Sequence, residues 1–405
     1  MTGSVGSKFD DRSVLIWGYG REGKSTEQFL KRCTKAKRIE IFEGKWEDIR
    51  EKDYDWIFKS PGIVMEEENP KVTSQTDVFL EAFADRVIGI TGTKGKSTTA
   101  AMLYHVLREC IGPGVIFLGN IGEPCLNHYE EVGEDTVVVF EMSCHQLAHA
   151  KVSPHIAVFL NLYEEHLDYY GTFEKYFRAK CNITTHQTPE DVLYIGEGVE
   201  NVETRAKRIT VSRKDCPDFG LSILGAHNDY NAEFVFRIAT EQYGADPGRV
   251  RESLKSFQGL PHRLQFVGKK DGIAYYDDSI STIPEAAIEA LQAVPHAKTV
   301  LIGGMDRGID YDLLVSFIRE HPEFTYLFMY DSGRRIFEQV ADLPCCEYAG
   351  DLEGAVEKAR EVTPQGFACV LSPAAASYGT FKNFEERGDR FAALAMGTDV
   401  RSGRE

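Results

Sequence analysis

The chain has 405 residues, and 63 acidic against 46 basic side chains give it a formal net charge of −17 at pH 7. This length predicts two to four domains, and 42% apolar with 27% charged residues is typical of globular proteins and excludes collagen-like, coiled-coil and disordered chains. The acidic balance argues against a nucleic-acid binder, so any anionic ligand must be held by local positive groups.

Neither a membrane span nor a disulfide framework is expected. The longest apolar stretches, such as 136–140 and 156–160, are far shorter than the ~20 residues of a span. The N-terminal segment lacks the basic start and apolar run of a secretory signal. Nine cysteines, an odd number, are scattered without a Cys-x-x-Cys pair. We therefore expect a cytoplasmic protein with reduced thiols and no zinc site.

Short apolar runs alternate with amphipathic segments along the chain, as in βαβ units. The predicted strands are 14–17, 39–42, 56–58, 87–90, 115–118, 137–140, 156–160, 299–302, 326–330 and 368–371. The charge-rich segment 45–54 is interpreted as a solvated helix. The pattern predicts an α/β fold of three tandem units with mostly parallel sheets and with boundaries near residues 86 and 260.

A first glycine-rich turn, Gly18-Tyr-Gly-Arg-Glu-Gly23, follows the first strand and opens a helical pattern through Phe29. Glycines at this spacing let the backbone approach a diphosphate at a helix N-terminus, and Glu43 after the next strand could bond a ribose hydroxyl. A tight turn without a ligand explains the glycines equally well. The Lys59–Gly62 segment follows the third strand and, taken by itself, is typical of an ordinary Ser-Pro-Gly turn.

A second glycine-rich turn, residues 89–99 (GITGTKGKSTT), follows the strand at Val87 and precedes a predicted helix at 98–108. Backbone N–H groups of such a loop cradle phosphates, Lys96 can neutralise the β- and γ-phosphates, and the Ser97 hydroxyl can hold Mg²⁺. The glycines stand at a variant spacing, but the strand–loop–helix context with Gly-Lys-Ser predicts ATP binding.

Acidic and histidine side chains follow the next two strands. Glu141 comes after the strand at 137–140, where a parallel sheet places a carboxylate for Mg²⁺. Three acids and His166 within 164–168 suggest a metal site or a polar surface equally. Lys180 lies on the following helix, and spacing alone predicts only a solvated lysine there.

The later motifs each have a plain structural explanation. Asn228 could cap the helix that the pattern predicts at 232–241, and Arg263 could reach a phosphate from a hinge. Three loops, at 277–282, 303–308 and 372–377, follow the strand-like segments 274–276, 300–302 and 369–371. Such loops converge on one sheet edge, where their hydroxyls with Arg307 and Lys382 suit a small ligand bearing carboxylates.

Taken in order, these motifs resemble the Mur ligases, over essentially the whole chain. The segments that carry the resemblance are 89–99 (GITGTKGKSTT), 119–122 (GNIG), 141–147 (EMSCHQL), 161–168 (NLYEEHLD), 176–180 (YFRAK), 225–231 (GAHNDYN), 260–263 (LPHR) and 371–388 (LSPAAASYGTFKNFEERG). The last segment, with the Lys59–Gly62 turn and the first glycine turn, is similar to the branch that adds glutamate to UDP-N-acetylmuramoyl-L-alanine.

The resemblance implies a Rossmann-like UDP-substrate-binding domain at 1–86, a central P-loop ATPase-like domain at 87–260 and a Rossmann-like amino-acid-binding domain at 261–405. It assigns the UDP substrate to Gly20, Arg21, Glu22, Glu43, Ser60, Pro61, Gly62 and Asn120. It assigns ATP to Gly92, Thr93, Lys94, Gly95, Lys96, Ser97, Thr98, Asn228, Asn231, Arg263 and Asp278. It assigns glutamate to Thr282, Arg307, Ser377 and Phe384.

For catalysis the resemblance implies roles for Lys96, His166, Lys180 and Arg263. Two Mg²⁺ ions are implied, with Ser97, Glu141, His166 and Lys180 as ligands, the last as a carbamate. The reaction implied is ATP-dependent and proceeds through an acyl phosphate, in peptidoglycan precursor synthesis, by a monomer that binds no nucleic acid or membrane.

The pattern of this branch has lysine where this chain has Ile280 and Arg307. Because an amino acid's configuration is recognised by where its carboxylates bind, D-glutamate is expected and L-glutamate is the alternative. Two other hypotheses stay open on the residues alone. One is an NAD-dependent oxidoreductase built on the first glycine turn, and the other is a non-catalytic nucleotide-binding regulator.

Overall fold

The computed structural model describes residues 5–65, 69–120, 122–165, 167–225 and 227–398, without the side chains of residues 167 and 168. The strands in these ranges are β1 Ser13–Trp17, β2 Arg38–Phe42, β3 Trp56–Lys59, β4 Val72–Thr73, β5 Val87–Thr91, β6 Val115–Gly119, β7 Val137–Glu141, β8 Ile156–Phe159, β9 Val192–Gly196, β10 Lys207–Val211, β11 Gln265–Lys270, β12 Ile273–Asp277, β13 Ala297–Ile302, β14 Thr325–Met329, β15 Cys346–Gly350 and β16 Ala368–Leu371. The α-helices are α1 Arg21–Cys33, α2 Gln75–Phe83, α3 Lys96–Ile111, α4 Cys144–Leu147, α5 Leu167–Tyr170, α6 Phe173–Thr185, α7 His227–Glu241, α8 Pro247–Ser256, α9 Pro284–Ala293, α10 Asp312–Glu320, α11 Tyr330–Val340, α12 Leu352–Val362 and α13 Phe384–Met396.

The strands form three sheets, in the orders β2-β1-β3-β4, β10-β9-β8-β5-β7-β6 and β11-β12-β16-β13-β14-β15. Neighbouring strands are parallel, except for the antiparallel pair β11–β12. Both faces of a parallel sheet are covered, which is why β5 and β8 are buried at every residue. The predicted α/β fold with three mostly parallel sheets is confirmed.

The chain divides into two compact units. The first contains Met1–Leu221 and Ala226–Phe257, and the second contains Ser222–Gly225 and Gln258–Glu405. The first two sheets therefore lie in one unit, and the third sheet forms the other. The domain bounds 1–86, 87–260 and 261–405 stay predictions, because a division of the chain into two compact units does not define domain boundaries.

One apolar core joins the first two sheets. Phe29 of α1 stacks edge-on against Tyr129, with ring centroids 4.8 Å apart, and Phe79 of α2 meets Phe140 of β7 at 5.9 Å. All three phenylalanines are fully buried. The helices of the first sheet thus cover apolar surface that belongs to the second sheet, and the free energy of burial is shared between them.

Three local predictions were wrong in detail. The segment 45–54 forms two short 3-10 turns, Trp46–Asp48 and Glu51–Asp53, instead of a helix. Tyr330 begins α11 at a φ of +58° instead of ending a strand. Helix α7 starts at His227, so Asn228 lies in its first turn and is not its cap. Among the described helices, none combines the length and apolar character that crossing a membrane requires.

Candidate active site

The first glycine turn and the Ser-Pro-Gly turn lie side by side at the carboxyl edge of the first sheet. Gly18 has a φ of +92°, and a Cβ there would lie 2.8 Å from the Ser60 hydroxyl, so only glycine fits. The Ser60 hydroxyl donates to the Gly18 carbonyl at 2.9 Å. Exposed Glu43 follows β2 at the same edge, where Gly18 N–H donates to Phe42 O at 2.9 Å. The structure thus brings together the turns predicted to bind the UDP substrate.

Arg21 and Glu22 instead contact a loop and the short helix α4 that follow strands of the second sheet. Arg21 Nη2 donates to the Gly122 carbonyl at 2.5 Å, and Glu22 Oε1 accepts from Gln146 Nε2 at 2.9 Å. Burial raises the pKa of the Glu22 carboxyl, although hydrogen bonds from Gln146 and Gln75 oppose that shift. Both side chains, predicted as substrate ligands, connect the two sheets at the edge where the substrate would bind.

The loop after β5 has the geometry of a phosphate cradle. Gly95, at a φ of +84°, caps α3, whose first N–H groups lack partners within the helix. Lys96 Nζ folds back onto the loop, donating to Gly92 O at 3.0 Å and Thr93 O at 2.8 Å. Burial lowers the pKa of Lys96, and the nearby Glu141 charge opposes that shift. Ser97 and Thr98 stand half-buried in the first turn of α3, where a phosphate would bind.

Asn161, which follows β8, braces this loop and was not predicted as a site residue. Its Oδ1 accepts from the Thr93 N–H at 3.1 Å and the Lys94 N–H at 2.8 Å, and its Nδ2 donates to Lys94 O at 2.9 Å. The Thr93 hydroxyl also points into the protein, 3.0 Å from the Tyr176 hydroxyl. Thr93 and the Lys94 backbone therefore shape the loop, while the Lys94 ammonium extends outward to Glu165, 3.3 Å away.

The two predicted asparagines of α7 lie against the same loop. A Cβ on Gly95 would approach Asn231 Oδ1 to 2.9 Å, so the glycine permits this close contact. Asn231 Nδ2 in turn donates to Asn228 Oδ1 at 3.0 Å, and both residues are buried. The sequence placed both asparagines before the predicted helix, whereas the structure places them on its first turn beside the P-loop.

Glu141 ends β7, next to β5 in the sheet, and its side chain is fully buried. Its Oε1 accepts from Asn120 Nδ2 at 3.0 Å. Its Oε2 is buried as well and has no hydrogen-bond partner among the described residues. A buried carboxylate oxygen without a donor is unfavourable unless a cation or a ligand donor satisfies it. Glu141 is thus suited to hold Mg²⁺ beside the phosphate loop, and Asn120 orients it.

Lys180 on α6 is buried with 1% of its surface exposed, contrary to the solvated lysine that its spacing predicts. Its Nζ donates to Gly92 O at 2.6 Å and lies 4.8 Å from the centre of the Tyr176 ring. Burial, and then the neighbouring Lys96 charge, lower the pKa of Lys180 to about 7. The structure therefore brings Lys180 to the P-loop, with an amine that is partly uncharged near neutral pH.

The remaining predicted metal ligand, His166, lies outside the described residues. Within the described ranges, no group of three or more His, Cys, Asp or Glu side chains is arranged to hold a metal ion. The described ligand candidates are the Ser97 hydroxyl, the Glu141 carboxylate and the Lys180 nitrogen.

In the second unit, the Pro-His-Arg-Leu segment is held by the end of β12. His262 Nδ1 lies 2.7 Å from Asp277 Oδ2, and this bond raises the pKa of His262. Asp278 accepts from Leu264 N–H at 3.2 Å and from the Ser372 hydroxyl at 2.8 Å, with Ser281 as a third donor. Burial raises the pKa of Asp278 to about 6. Asp278, predicted to bind ATP, thus braces the segment that presents exposed Arg263.

The four residues predicted to bind glutamate come from loops at the carboxyl ends of neighbouring strands. These are Thr282 after β12, Arg307 after β13, and Ser377 and Phe384 after β16. Arg307 Nη2 donates to the Thr282 carbonyl at 3.2 Å, and a bridge between Met305 and Ala376 joins the second and third loops. The predicted convergence of the three loops is therefore observed.

Arg387 on α13, which was not predicted as a site residue, connects two of these loops through hydrogen bonds. It is fully buried, its Nε donates to Ser279 Oγ at 2.9 Å, and its Nη2 donates to Ser279 O at 2.7 Å and Ala375 O at 3.0 Å. Burial lowers the pKa of Arg387 to about 10. Its place in the motif Phe384–Gly388 was the available signal, but the sequence pattern does not reveal which arginine is buried.

Comparison with known proteins agrees with this geometry. Residues 90–235 match the family model described as the Mur ligase middle domain. A UDP-N-acetylmuramoylalanine–D-glutamate ligase of Aquifex aeolicus is 32% identical, over 94% of this chain and 97% of that protein. A UDP-N-acetylmuramoyl-L-alanine–L-glutamate ligase of Salinispora tropica is also 32% identical, over 96% and 98%.

Among solved structures, the MurF ligase of Thermotoga maritima in complex with ADP shares the fold. Its TM-score is 0.58 at 16% sequence identity, and the match covers 98% of this chain and 99% of that chain. Sequence identity across nearly the full length of the relatives, with a P-loop, a buried glutamate and a buried lysine at one sheet edge, shows that this chain belongs to the Mur ligase family.

Proposed function

We propose that this protein is an ATP-dependent ligase that joins glutamate to UDP-N-acetylmuramoyl-L-alanine and releases ADP and phosphate, in peptidoglycan precursor synthesis. The observation that carries the proposal is the Glu141 Oε2 atom beside the P-loop after β5, which is buried and has no hydrogen-bond partner in the described part of the chain. An NAD-dependent oxidoreductase has no use for that carboxylate together with Lys96 and buried Lys180, and turnover distinguishes the ligase from a non-catalytic nucleotide-binding regulator. We assign the protein to the cytoplasm and expect it to act as a monomer.

The proposed reaction brings several negatively charged groups together, namely the substrate carboxylate and the phosphates of ATP. The alanine carboxylate attacks the γ-phosphorus of ATP, the bond to the ADP oxygen breaks, and an acyl phosphate forms. The glutamate amine then attacks the acyl carbon, loses a proton, and phosphate leaves with the bonding electron pair. Lys96, at the start of α3, neutralises the phosphates. For Arg263 we propose the phosphate-side role that the resemblance to the Mur ligases implies. Asn161 keeps the loop in the shape that binds the nucleotide.

We propose that the site binds two magnesium ions. Ser97 and the unpartnered oxygen of Glu141 would hold the first, and a carbamylated Lys180 with His166 would hold the second. Bound Mg²⁺ supplies charge stabilisation for the transferred phosphoryl group. Buried Lys180 already lies 2.6 Å from Gly92 O, beside the phosphate loop. Carbon dioxide added to this amine would give a carboxylate at that place.

We propose that the carboxylates of glutamate bind among Thr282, Arg307, Ser377 and Phe384. Arg307 presents a guanidinium fork, which can hold a carboxylate through two parallel hydrogen bonds. D-glutamate is the proposed substrate. L-glutamate is a second candidate, because relatives at 32% identity include ligases named for each configuration.

The test is phosphate release by the purified protein with ATP, Mg²⁺ and UDP-N-acetylmuramoyl-L-alanine, supplied separately with D- and L-glutamate. We expect release with D-glutamate, dependent on all four components, and none with Lys96→Ala. Release only with L-glutamate would transfer the assignment to the other configuration. Absence of phosphate release with both would refute the assignment to glutamate ligation and would point to another amino acid, another acceptor or the regulator. Binding of NAD in place of ATP would favour the oxidoreductase.

A further inference from the structure

A tyrosine hydroxyl from the second sheet's side contacts the Ser-Pro-Gly turn of the first sheet. The Tyr169 hydroxyl, on α5, lies 2.9 Å from Ile63 O and 3.2 Å from Pro61 O, more than 100 positions away in sequence. A tyrosine hydroxyl has one proton, so it donates to the two carbonyls in a shared bond or alternates between them. The contact joins the turn predicted to bind the UDP substrate to α5. The Tyr170 ring of α5 lies 5.7 Å from the Tyr176 ring, and the Tyr176 hydroxyl is 3.0 Å from Thr93 Oγ1 in the phosphate loop.

The turn has other supports, and these define what Tyr169 adds. Lys59 Nζ also donates to Ile63 O at 2.7 Å, and Ile63 N–H donates to Ser60 O at 3.1 Å. These two bonds come from within the turn, and the Ser60 hydroxyl and N–H bind Gly18 O and Trp17 O, each at 2.9 Å, within the first sheet. Tyr169 thus connects the turn with the helix α5 of the second sheet, and it fixes Pro61 O, on the peptide next to Gly62.

Packing fixes the position of the phenol ring. The Tyr169 ring stands edge-on to His145 with centroids 4.4 Å apart, and to Tyr170 at 4.7 Å. Because the ring is held by its neighbours, its hydroxyl reaches the two carbonyls at little further cost in conformational entropy. Removing the oxygen alone leaves these ring contacts intact.

We infer that Tyr169 is a positioning residue for the UDP substrate, which sets the Ser-Pro-Gly turn relative to the ATP-binding loop through its hydroxyl. The inference rests on the proposed function. It predicts that losing this hydroxyl impairs binding of the UDP substrate and leaves nucleotide binding intact, because the P-loop is braced by Asn161 and does not depend on the bond.

The neighbouring Tyr170 offers a matched control. Its hydroxyl is buried beside the Cys144 thiol and has no hydrogen-bond partner at normal geometry among the described residues. Tyr170→Phe therefore removes one phenol oxygen from the same helix without breaking a link to the turn.

The experiment measures the dissociation constants of UDP-N-acetylmuramoyl-L-alanine and of ADP with Mg²⁺ by calorimetry, for the wild type, Tyr169→Phe and Tyr170→Phe. We expect Tyr169→Phe to weaken binding of the UDP substrate about three- to tenfold, the usual effect of one lost hydrogen bond. Its affinity for ADP should match the wild type and its melting temperature should fall by no more than about 2–4 °C. Tyr170→Phe should bind both ligands normally.

Hydrogen exchange without ligand gives a second measurement. In Tyr169→Phe, the Ile63 amide should exchange faster than in the wild type, while amides of the phosphate loop keep their rates. Unchanged affinity for the UDP substrate, or equal weakening of both ligands, would overturn the inference. If the wild type itself binds no UDP substrate, the proposed function fails, and this result is distinct from a difference between the variants.

Discussion

Lys180 is the residue whose predicted role departs furthest from its local sequence pattern. It is buried at the phosphate loop, so a carbamate there would supply the carboxylate that the proposed reaction needs. We expect Lys180→Ala to lose phosphate release by about a hundredfold or more, since a transition-state charge contact is removed. Millimolar acetate or formate should restore part of the activity, because a small carboxylate can enter the space left by the side chain.

The matched control for this prediction is Lys175→Ala on the same helix. Lys175 is exposed in the first turn of α6, so its loss should leave phosphate release unchanged, with and without added carboxylate. Full activity of Lys180→Ala without additives would contradict the carbamate assignment. Loss of activity in both variants would instead indicate general damage to α6.

The sequence did not predict the burial of Lys180 because burial depends on distant parts of the chain. The lysine contacts the β5 loop, 88 positions earlier, and no periodicity within α6 reports that contact. Lys96 and Ser97, by contrast, were predictable, since a strand, a glycine-rich loop and a helix are adjacent in sequence. Asn161 and Arg387 were missed for the same reason as Lys180, because their partners come from other loops.

At the scale of elements, the ends of parallel strands determine where the predicted residues lie. The loop after β5 and the end of β7 carry Lys96, Ser97 and Glu141, which are proposed to bind the nucleotide and its magnesium. Segments after β12, β13 and β16 carry the residues proposed for glutamate. This arrangement follows from alternating strands and helices and was predicted. The short strand β4 and the 3-10 turns at 46–53 were not, because two or three residues carry no readable periodicity.

The end of β12 makes a pH-dependent contribution to the stability of the second unit. Burial raises the pKa of Asp278 from 3.8 to about 6, so the folded state binds more protons than the unfolded state between these values. Stability from this group is therefore present below about pH 4 and is lost as the pH rises through 6. Asp278→Asn removes that dependence.

We expect Asp278→Asn to gain stability relative to the wild type as the pH rises from 5 to 7. The comparison uses urea unfolding of both proteins at each pH, so the titration of His262 cancels in the difference. Asp271→Asn, in the exposed β11–β12 turn, is the control and should show no such trend. A stability difference between Asp278→Asn and wild type that is constant with pH would refute the assignment.

At the scale of the whole molecule, the sequence predicted three sheets in tandem but not how their cores are divided. The first two sheets share apolar side chains, because Phe79 from α2 packs against Phe140 in β7. Packing between side chains of two sheets does not alter the hydrophobic periodicity of either segment, so the sequence pattern does not reveal it. Near residue 86 the chain therefore passes from the first sheet to the second without leaving the first compact unit. The main part of the second compact unit begins at Gln258.

This shared core predicts that the first two sheets unfold together. Phe79→Ala removes a fully buried ring, which typically costs about 3–5 kcal/mol of unfolding free energy. Backbone amides of β1, β3, β5, β7 and β8 that exchange slowly in the wild type should then exchange roughly a hundredfold or more faster, because this loss of unfolding free energy raises the population of the open state. Amides in β12, β13 and β16 should keep their rates, because their core contains none of the same residues.

Hydrogen exchange with mass spectrometry measures all these strands in one experiment, and Leu327→Ala in β14 is the reciprocal variant. Leu327 is fully buried in the third sheet's core, so its truncation should accelerate exchange in β12, β13 and β16 alone. Faster exchange confined to the second sheet in Phe79→Ala would show that the first sheet is an independent cooperative unit. Residues 1–86 would then unfold as a separate domain, and the Phe79–Phe140 contact would be a docking contact between two domains.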